Sequence, residues 1–220
     1  MSIRETRAIG RRHKQRGFSL IEMLMVVAIV IIMASIAFIS MLPVMKQYRV
    51  ANAYNTTLAA MRQARDNAVS QRTSYSVTFT HTASTNTITV TPTLSTFAGA
   101  QNTTTYTLPQ DVAFLVQGSF PTPGPDGYGT GTAAIDFGYT ANGVGTGGQT
   151  TVYFCPDGSA QDSEGTTGAC AGSWDGGVVY IGRSGDLLSS RAITLWGGTG
   201  RIRGWRIYSN GSGGYQWLRQ

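Results

Sequence analysis

Histidine and cysteine are scarce in this 220-residue chain, which holds only His13, His81, Cys155 and Cys170. Without a Cys/His cluster there is no zinc template, and no free cysteine stands ready beside a histidine for nucleophilic work. The sequence has no Gly-Lys phosphate loop and no His-Glu-x-x-His pair. Gly182-Arg183-Ser184-Gly185 lacks the spacing of a nucleophile elbow. These gaps exclude the common enzyme constellations, so catalysis, a cofactor and a small-molecule substrate are not expected. Lysine and arginine are absent from Thr73 to Gly182, where seven acids stand. The formal net charge of +6 is therefore not a general basicity. Residues 1–17 hold six bases and one acid, and without them the balance is +1. The remaining positive charge collects at two places. Pro43–Arg72 has five bases and one acid, and Arg183–Gln220 has six arginines and one acid, Asp186. Such asymmetry marks candidate interaction surfaces.

What the chain does have is a long apolar run with one charge in it. Phe18 to Leu42 is apolar apart from Glu22 and a few serines. Its 25 residues exceed the roughly 20 that span a bilayer core as a helix. A carboxylate there costs about 2.5–3.5 kcal/mol even on lenient insertion scales, so its use is to pair with a cation. In front stand Arg4, Arg7, Arg11, Arg12, Lys14 and Arg16 against Glu5. A positive flank stays cytoplasmic, which places everything after Leu42 outside. No small-x-small cleavage site follows the run, as an ordinary secretory signal requires; Pro43, Met45 and Lys46 come next.

Arg16-Gly17-Phe18-Ser19-Leu20-Ile21-Glu22 resembles the leader junction of type IV pilins and type II secretion pseudopilins. The resemblance implies that a prepilin peptidase of the membrane cuts between Gly17 and Phe18. Phe18 is then N-methylated and the apolar helix is retained. It implies that Glu22 pairs, during filament assembly, with the free amino group of a neighbouring subunit's first residue. The plain alternative to the junction is a single-span anchor with a chance glutamate, and the alternative to pairing is that Glu22 snorkels to the interface.

Beyond Pro43, which removes a helix bond, Ala51, Tyr54, Leu58, Met61 and Ala68 recur at three- and four-residue steps, with Ala64 beside them. That spacing predicts an amphipathic helix able to lie on a sheet, ending near Thr73. The texture then changes to Thr, Gly, Ser and Asn. Ser76–Phe79 and Thr87–Val90 alternate polar and apolar residues, and a polar connection makes them a hairpin. Further strands are expected at Thr104–Leu108, Val112–Val116, Ala133–Phe137, Thr150–Phe154, Val178–Ile181, Ala192–Trp196 and Arg203–Tyr208. Pro121–Gly127, Gly143–Gly148 and Gly197–Gly200 read as breakers. The expected fold class is α+β, a type IV pilin-like fold with a long amino-terminal helix on antiparallel sheets. The expected partition is a leader at 1–17, a transmembrane helix at 18–42, its amphipathic continuation at 43–73 and a β-rich domain at 74–220.

Three elements resemble the GspH/FimT group of minor subunits. They are Ala64-Arg65-Asp66-Asn67-Ala68 at the helix end, Ile135-Asp136-Phe137 followed by Asn142-Gly143, and Gly200-Arg201-Ile202-Arg203. The insert around Pro121–Thr132 and the cysteine loop depart from a compact member. The resemblance implies a structural subunit of a secretion pseudopilus or a type IV pilus, acting in filament initiation or at the tip. Its partners would be other pilins or pseudopilins, the prepilin peptidase and the inner membrane, with the second domain periplasmic.

Two further sites are weighed. Arg201, Arg203 and Arg206 lie beside Trp205 and Tyr208. Arginines clamp phosphates and aromatics stack bases, and the resemblance implies, as the alternative, a minor pilin that binds DNA for uptake in natural transformation through Gly200-Arg201-Ile202-Arg203. The competing reading is a strand face whose arginines pair with the acidic middle, and alternation would put Arg203 and Arg206 on opposite faces. In the cysteine loop, Asp157, Asp162 and Glu164 are oxygen ligands of a kind that suits calcium, but at spacings matching no template, so no metal site is expected. Cys155 and Cys170, outside the cytoplasm, should form one disulfide; closing that loop contributes about 3 kcal/mol.

Overall fold

The computed structural model describes residues 17–83, 85–93, 102–118, 120–122, 124–129, 133–139, 145–162, 170 and 176–220. Asn142, Gly143 and Glu164 lie outside the described residues, as does the leader up to Arg16. Contacts divide the chain into two units, one ending at Val44 and one running from Met45 to Gln220.

The helix α1 covers Leu20–Gln71 and therefore enters both units. Pro43 lies inside it and does not end it. At its start the Ser19 carbonyl accepts the N–H groups of Glu22 (3.0 Å) and Met23 (3.2 Å). Glu22 stands in the first turn, where a negative charge favours the helix dipole. In the first unit the helix is apolar on every side, and large side chains such as Leu20, Ile36 and Phe38 are exposed. None of its most apolar stretch is buried, and it is long and apolar enough to cross a membrane. Its serines are compatible with lipid because they bond within the helix. Ser35 donates to the Ile31 carbonyl at 2.7 Å and Ser40 to that of Ala37 at 2.9 Å.

In the second unit α1 buries Val50, Ala53, Tyr54, Thr57, Ala60, Met61, Ala64 and Ala68. This corrects the expected stripe. Ala51 and Leu58 are only half-buried, and Ala53, Thr57 and Ala60 take the centre. The reason is closeness: small residues let the helix backbone approach the strands. Thr57 tolerates burial because its hydroxyl donates to the Ala53 carbonyl at 2.8 Å. The helix ends at Gln71, and Arg72 follows in the left-handed region with φ 53°.

All strand pairs are antiparallel. In chain order the strands are β1 (Tyr75–His81), β2 (Asn86–Pro92), β3 (Thr104–Thr107), β4 (Ala113–Phe114), β5 (Ile135–Tyr139) and β6 (Gly145–Gln149). They continue with β7 (Thr151–Phe154), β8 (Ala160–Gln161), β9 (Gly176–Arg183), β10 (Asp186–Trp196), β11 (Arg201–Ser209) and β12 (Tyr215–Arg219). One sheet has the order β3-β2-β1-β7-β8; the other runs β12-β11-β10-β9-β5-β6, with β4 also on β9. The α+β class and the β1–β2 hairpin are as the sequence predicts. Three strands are not: β6 falls on a glycine run read as a breaker, β8 is only two residues long, and the alternation of β12 covers only Tyr215-Gln216-Trp217. Glycine-rich β6 is held by backbone pairing to β5, which needs no side chain.

One core joins Ala60, Met61 and Ala64 of α1, Val77, Phe79 and Ile88 of the first sheet, and Val179, Ile181, Ile193 and Leu195 of the second. Phe79 anchors it, with its ring 5.6 Å from Phe114 and 5.4 Å from Phe137. A smaller cluster of Tyr128, Val178, Tyr180 and Ala192, with Phe120, Trp205 and Trp217 against it, forms elsewhere on the second sheet. The Pro/Gly insert supplies Tyr128 to that cluster, so it is a structural cover rather than a plain loop.

Candidate functional sites on the amino-terminal helix and the arginine strand

Gly17 and Phe18, where the leader junction is expected, are both exposed. Phe18 is 76% exposed, and nothing lies within 4 Å of where a Gly17 side chain would start. Glu22 is exposed on the helix surface, and among the described residues it has no ion-pair partner. An exposed carboxylate in a lipid-length apolar helix is open to a partner from another molecule.

Cys155 and Cys170 form a disulfide, with Cα atoms 5.9 Å apart. The loop start is ordered by its own bonds: Cys155 donates to the Ser159 carbonyl and Gly158 to that of Cys155, both at 2.9 Å. Asp157 accepts the Ser159 hydroxyl at 2.6 Å and the Ser159 N–H at 2.8 Å. These bonds, the hydroxyl's first, hold its carboxyl below the usual carboxylate range. Asp157 thus serves the turn. Arg65, from the Ala-Arg-x-x-Ala element, ties this loop to α1. Its Nε donates to the Gly158 carbonyl at 3.0 Å and its guanidinium to that of Thr199 at 3.2 Å. The motif drew attention to Arg65, but only the fold reveals that it joins two distant turns.

The three arginines of β11 and its turn do not form one patch. Arg201 is exposed beside an open hollow of about 350 Å³ that Arg62, Arg65 and Asp66 also line. Arg203 is held in a network centred on Asp126, from the Pro/Gly insert. It donates to Asp126 Oδ1 at 2.6 Å, while Thr194 donates to Oδ2 at 2.6 Å and Trp196 Nε1 to the same oxygen at 3.3 Å. The Asp126 side chain is 7% exposed and that of Arg203 20%. Arg203 also lies 5.5 Å from the Trp196 ring centre. Trp205 donates to Thr194 Oγ1 at 3.0 Å and is half-buried, so it is no free stacking platform.

Arg206 stands opposite Arg191 in the β10–β11 register, while Arg203 stands opposite Thr194. Its guanidinium covers the Tyr208 ring at 5.1 Å. Arg191 is buried and donates to the carbonyls of Ser189 (3.0 Å) and Ser190 (3.3 Å). Burial, and then the Arg206 charge, push its guanidinium below the ordinary range. Burial likewise pushes the Tyr54 hydroxyl up. Sequence reasoning missed Arg191 and Asp126. Arg191 directly precedes an apolar strand run, which was the available signal. Asp126 had none, because its partners lie far along the chain.

No curated protein and no solved structure matches the chain. Residues 12–38 match the family model of the prokaryotic N-terminal methylation motif, which spans the leader junction, Phe18 and Glu22. An apolar amino-terminal helix carrying that motif, on an α+β body with antiparallel sheets, indicates a type IV pilin-like or pseudopilin protein.

Proposed function

We propose that the chain is a minor pseudopilin or minor type IV pilin of the GspH/FimT kind, a structural subunit acting in filament initiation or tip assembly. The observation that carries this is the methylation motif at residues 12–38, set at the head of a helix whose most apolar stretch is wholly exposed. Such a surface needs lipid or other helices around it, and a filament of packed helices supplies both in turn. In this reading residues 1–17 are removed, 18–42 anchor the chain in the inner membrane, and 43–73 carry the periplasmic domain at 74–220. Glu22 then meets the methylated amine of Phe18 on a neighbour, two opposite charges that attract strongly in a low dielectric.

Two measurements test it. Mass spectrometry of membrane-extracted protein should find Phe18 at the amino terminus with one added methyl group. An intact leader, or a cut beyond Leu42, overturns the reading. Glu22→Ala should leave cleavage and insertion intact while removing the subunit from sheared filaments. Normal incorporation of that variant rejects the pairing role.

A further inference from the structure

Arg191 and Arg206, paired across β10 and β11, face a cavity of about 170 Å³ together with Gln47 and Val50 of α1 and Asp186 and Ser189 of β10. Two guanidinium groups and one carboxylate line it, an excess of one positive charge. Asp186 Oδ1 already accepts the Ser189 N–H at 3.3 Å. Among the described residues, no carboxylate lies within ion-pair distance of Arg191 or Arg206. Arg191 is only 8% exposed, and the Nε of Arg206 is buried with no hydrogen-bond partner. A desolvated cation is normally held with an anion, and two facing each other need one more than a single cation does. The cavity is well below the ~300 Å³ of ordinary small-molecule pockets, so its occupant is a compact group. A net charge of one and two guanidinium forks suit a monoanionic phosphodiester.

The source follows from the chain's reach. Gln47 comes five residues after Leu42, the end of the apolar run. At ~3.3–3.6 Å per residue it lies within about 18 Å of that end in any conformation. Lys46 precedes it and adds positive charge on the same stretch, while Arg49 is ion-paired with Asp111 at 3.4 Å. The geometry points to this cavity as a receptor for the phosphodiester of an anionic phospholipid headgroup. The inference rests on the membrane-anchored reading above.

The test uses the full chain in neutral maltoside micelles, with native mass spectrometry counting retained lipid. Phosphatidylglycerol should be held about tenfold more tightly than phosphatidylcholine, whose added cation cancels the charge match. Arg206→Gln should lower phosphatidylglycerol retention about tenfold, while Arg201→Gln, at the other hollow, leaves it unchanged. Equal retention of both lipids, or an unchanged Arg206→Gln variant, overturns the proposal. So does inorganic phosphate displacing the lipid at equal concentration, which would make the ligand a free anion. Displacement by a short oligonucleotide at equal phosphate would reassign the site to nucleic acid. Should Arg206→Gln fail to fold, the unfolding midpoint of the unaltered chain decides. It should rise with phosphatidylglycerol and not with phosphatidylcholine, and an equal rise rejects the idea. A chain that carbonate washes from membranes sinks the pilin-like reading, yet both lipid and phosphate remain measurable on it.

Discussion

Asp126 gathers Arg203, Thr194 and Trp196 around one nearly buried carboxylate. Removing it leaves a partly buried guanidinium unpaired and two further donors without their acceptor. Asp126→Ala should therefore destabilise the protein by about 3 kcal/mol, read from chemical denaturation of the full chain. Asn at the same position keeps an acceptor and should lose less. A change within about 0.5 kcal/mol would mean that the network carries no stability. The same geometry changes how the Gly-Arg-x-Arg element reads. Of its two arginines, Arg203 serves the fold and only Arg201 is exposed.

At the scale of the element, the contact of α1 with β11 depends on a missing side chain. The Tyr54 hydroxyl occupies the place where a Cβ on Gly204 would stand. Gly204→Ala should cost about 1–3 kcal/mol, the usual range for overpacking a filled site. Tyr54→Phe removes the atom in closest conflict, so Gly204→Ala should be better tolerated in that background. Additive losses in the double variant would show that the clash is not the cause. Arg65 acts at the same level, because its bonds to Gly158 and Thr199 hold the cysteine loop and the turn before β11 against α1.

For the whole molecule the open question is whether the arginine-rich end meets DNA. Phosphate binding needs several free cations close together. Here Arg203 is bound to Asp126; at the Arg201 hollow Arg65 is held by two carbonyls and Arg62 stands beside Asp66; and Arg191 and Arg206 line a separate cavity of about 170 Å³, too small for a strand. The full chain should therefore show no DNA binding at physiological salt by fluorescence anisotropy. A signal that falls steeply with salt and weakens in Arg201→Ala would instead support the DNA-uptake alternative.

The amino-terminal half of α1 was legible in the sequence because its determinants are local. Length, apolarity, a basic flank and one carboxylate act through the residues themselves, whatever the rest of the chain does. Cys155 and Cys170 were equally readable, since two cysteines in a chain leave one pairing. The β1–β2 hairpin followed from alternation within a few residues of a turn. Tertiary structure alone decided the rest. The buried face of α1 was rotated toward Ala53, Thr57 and Ala60, because what matters there is how closely a sheet can approach. Strands β6 and β12 exist because neighbours present backbone groups to pair with, which local pattern does not record. Above all, the fates of Arg65, Arg191, Arg203 and Arg206 were set by carbonyls, carboxylates and like charges brought from distant parts of the chain. The sequence by itself determined which charges this protein has; only the fold decided which of them are already answered.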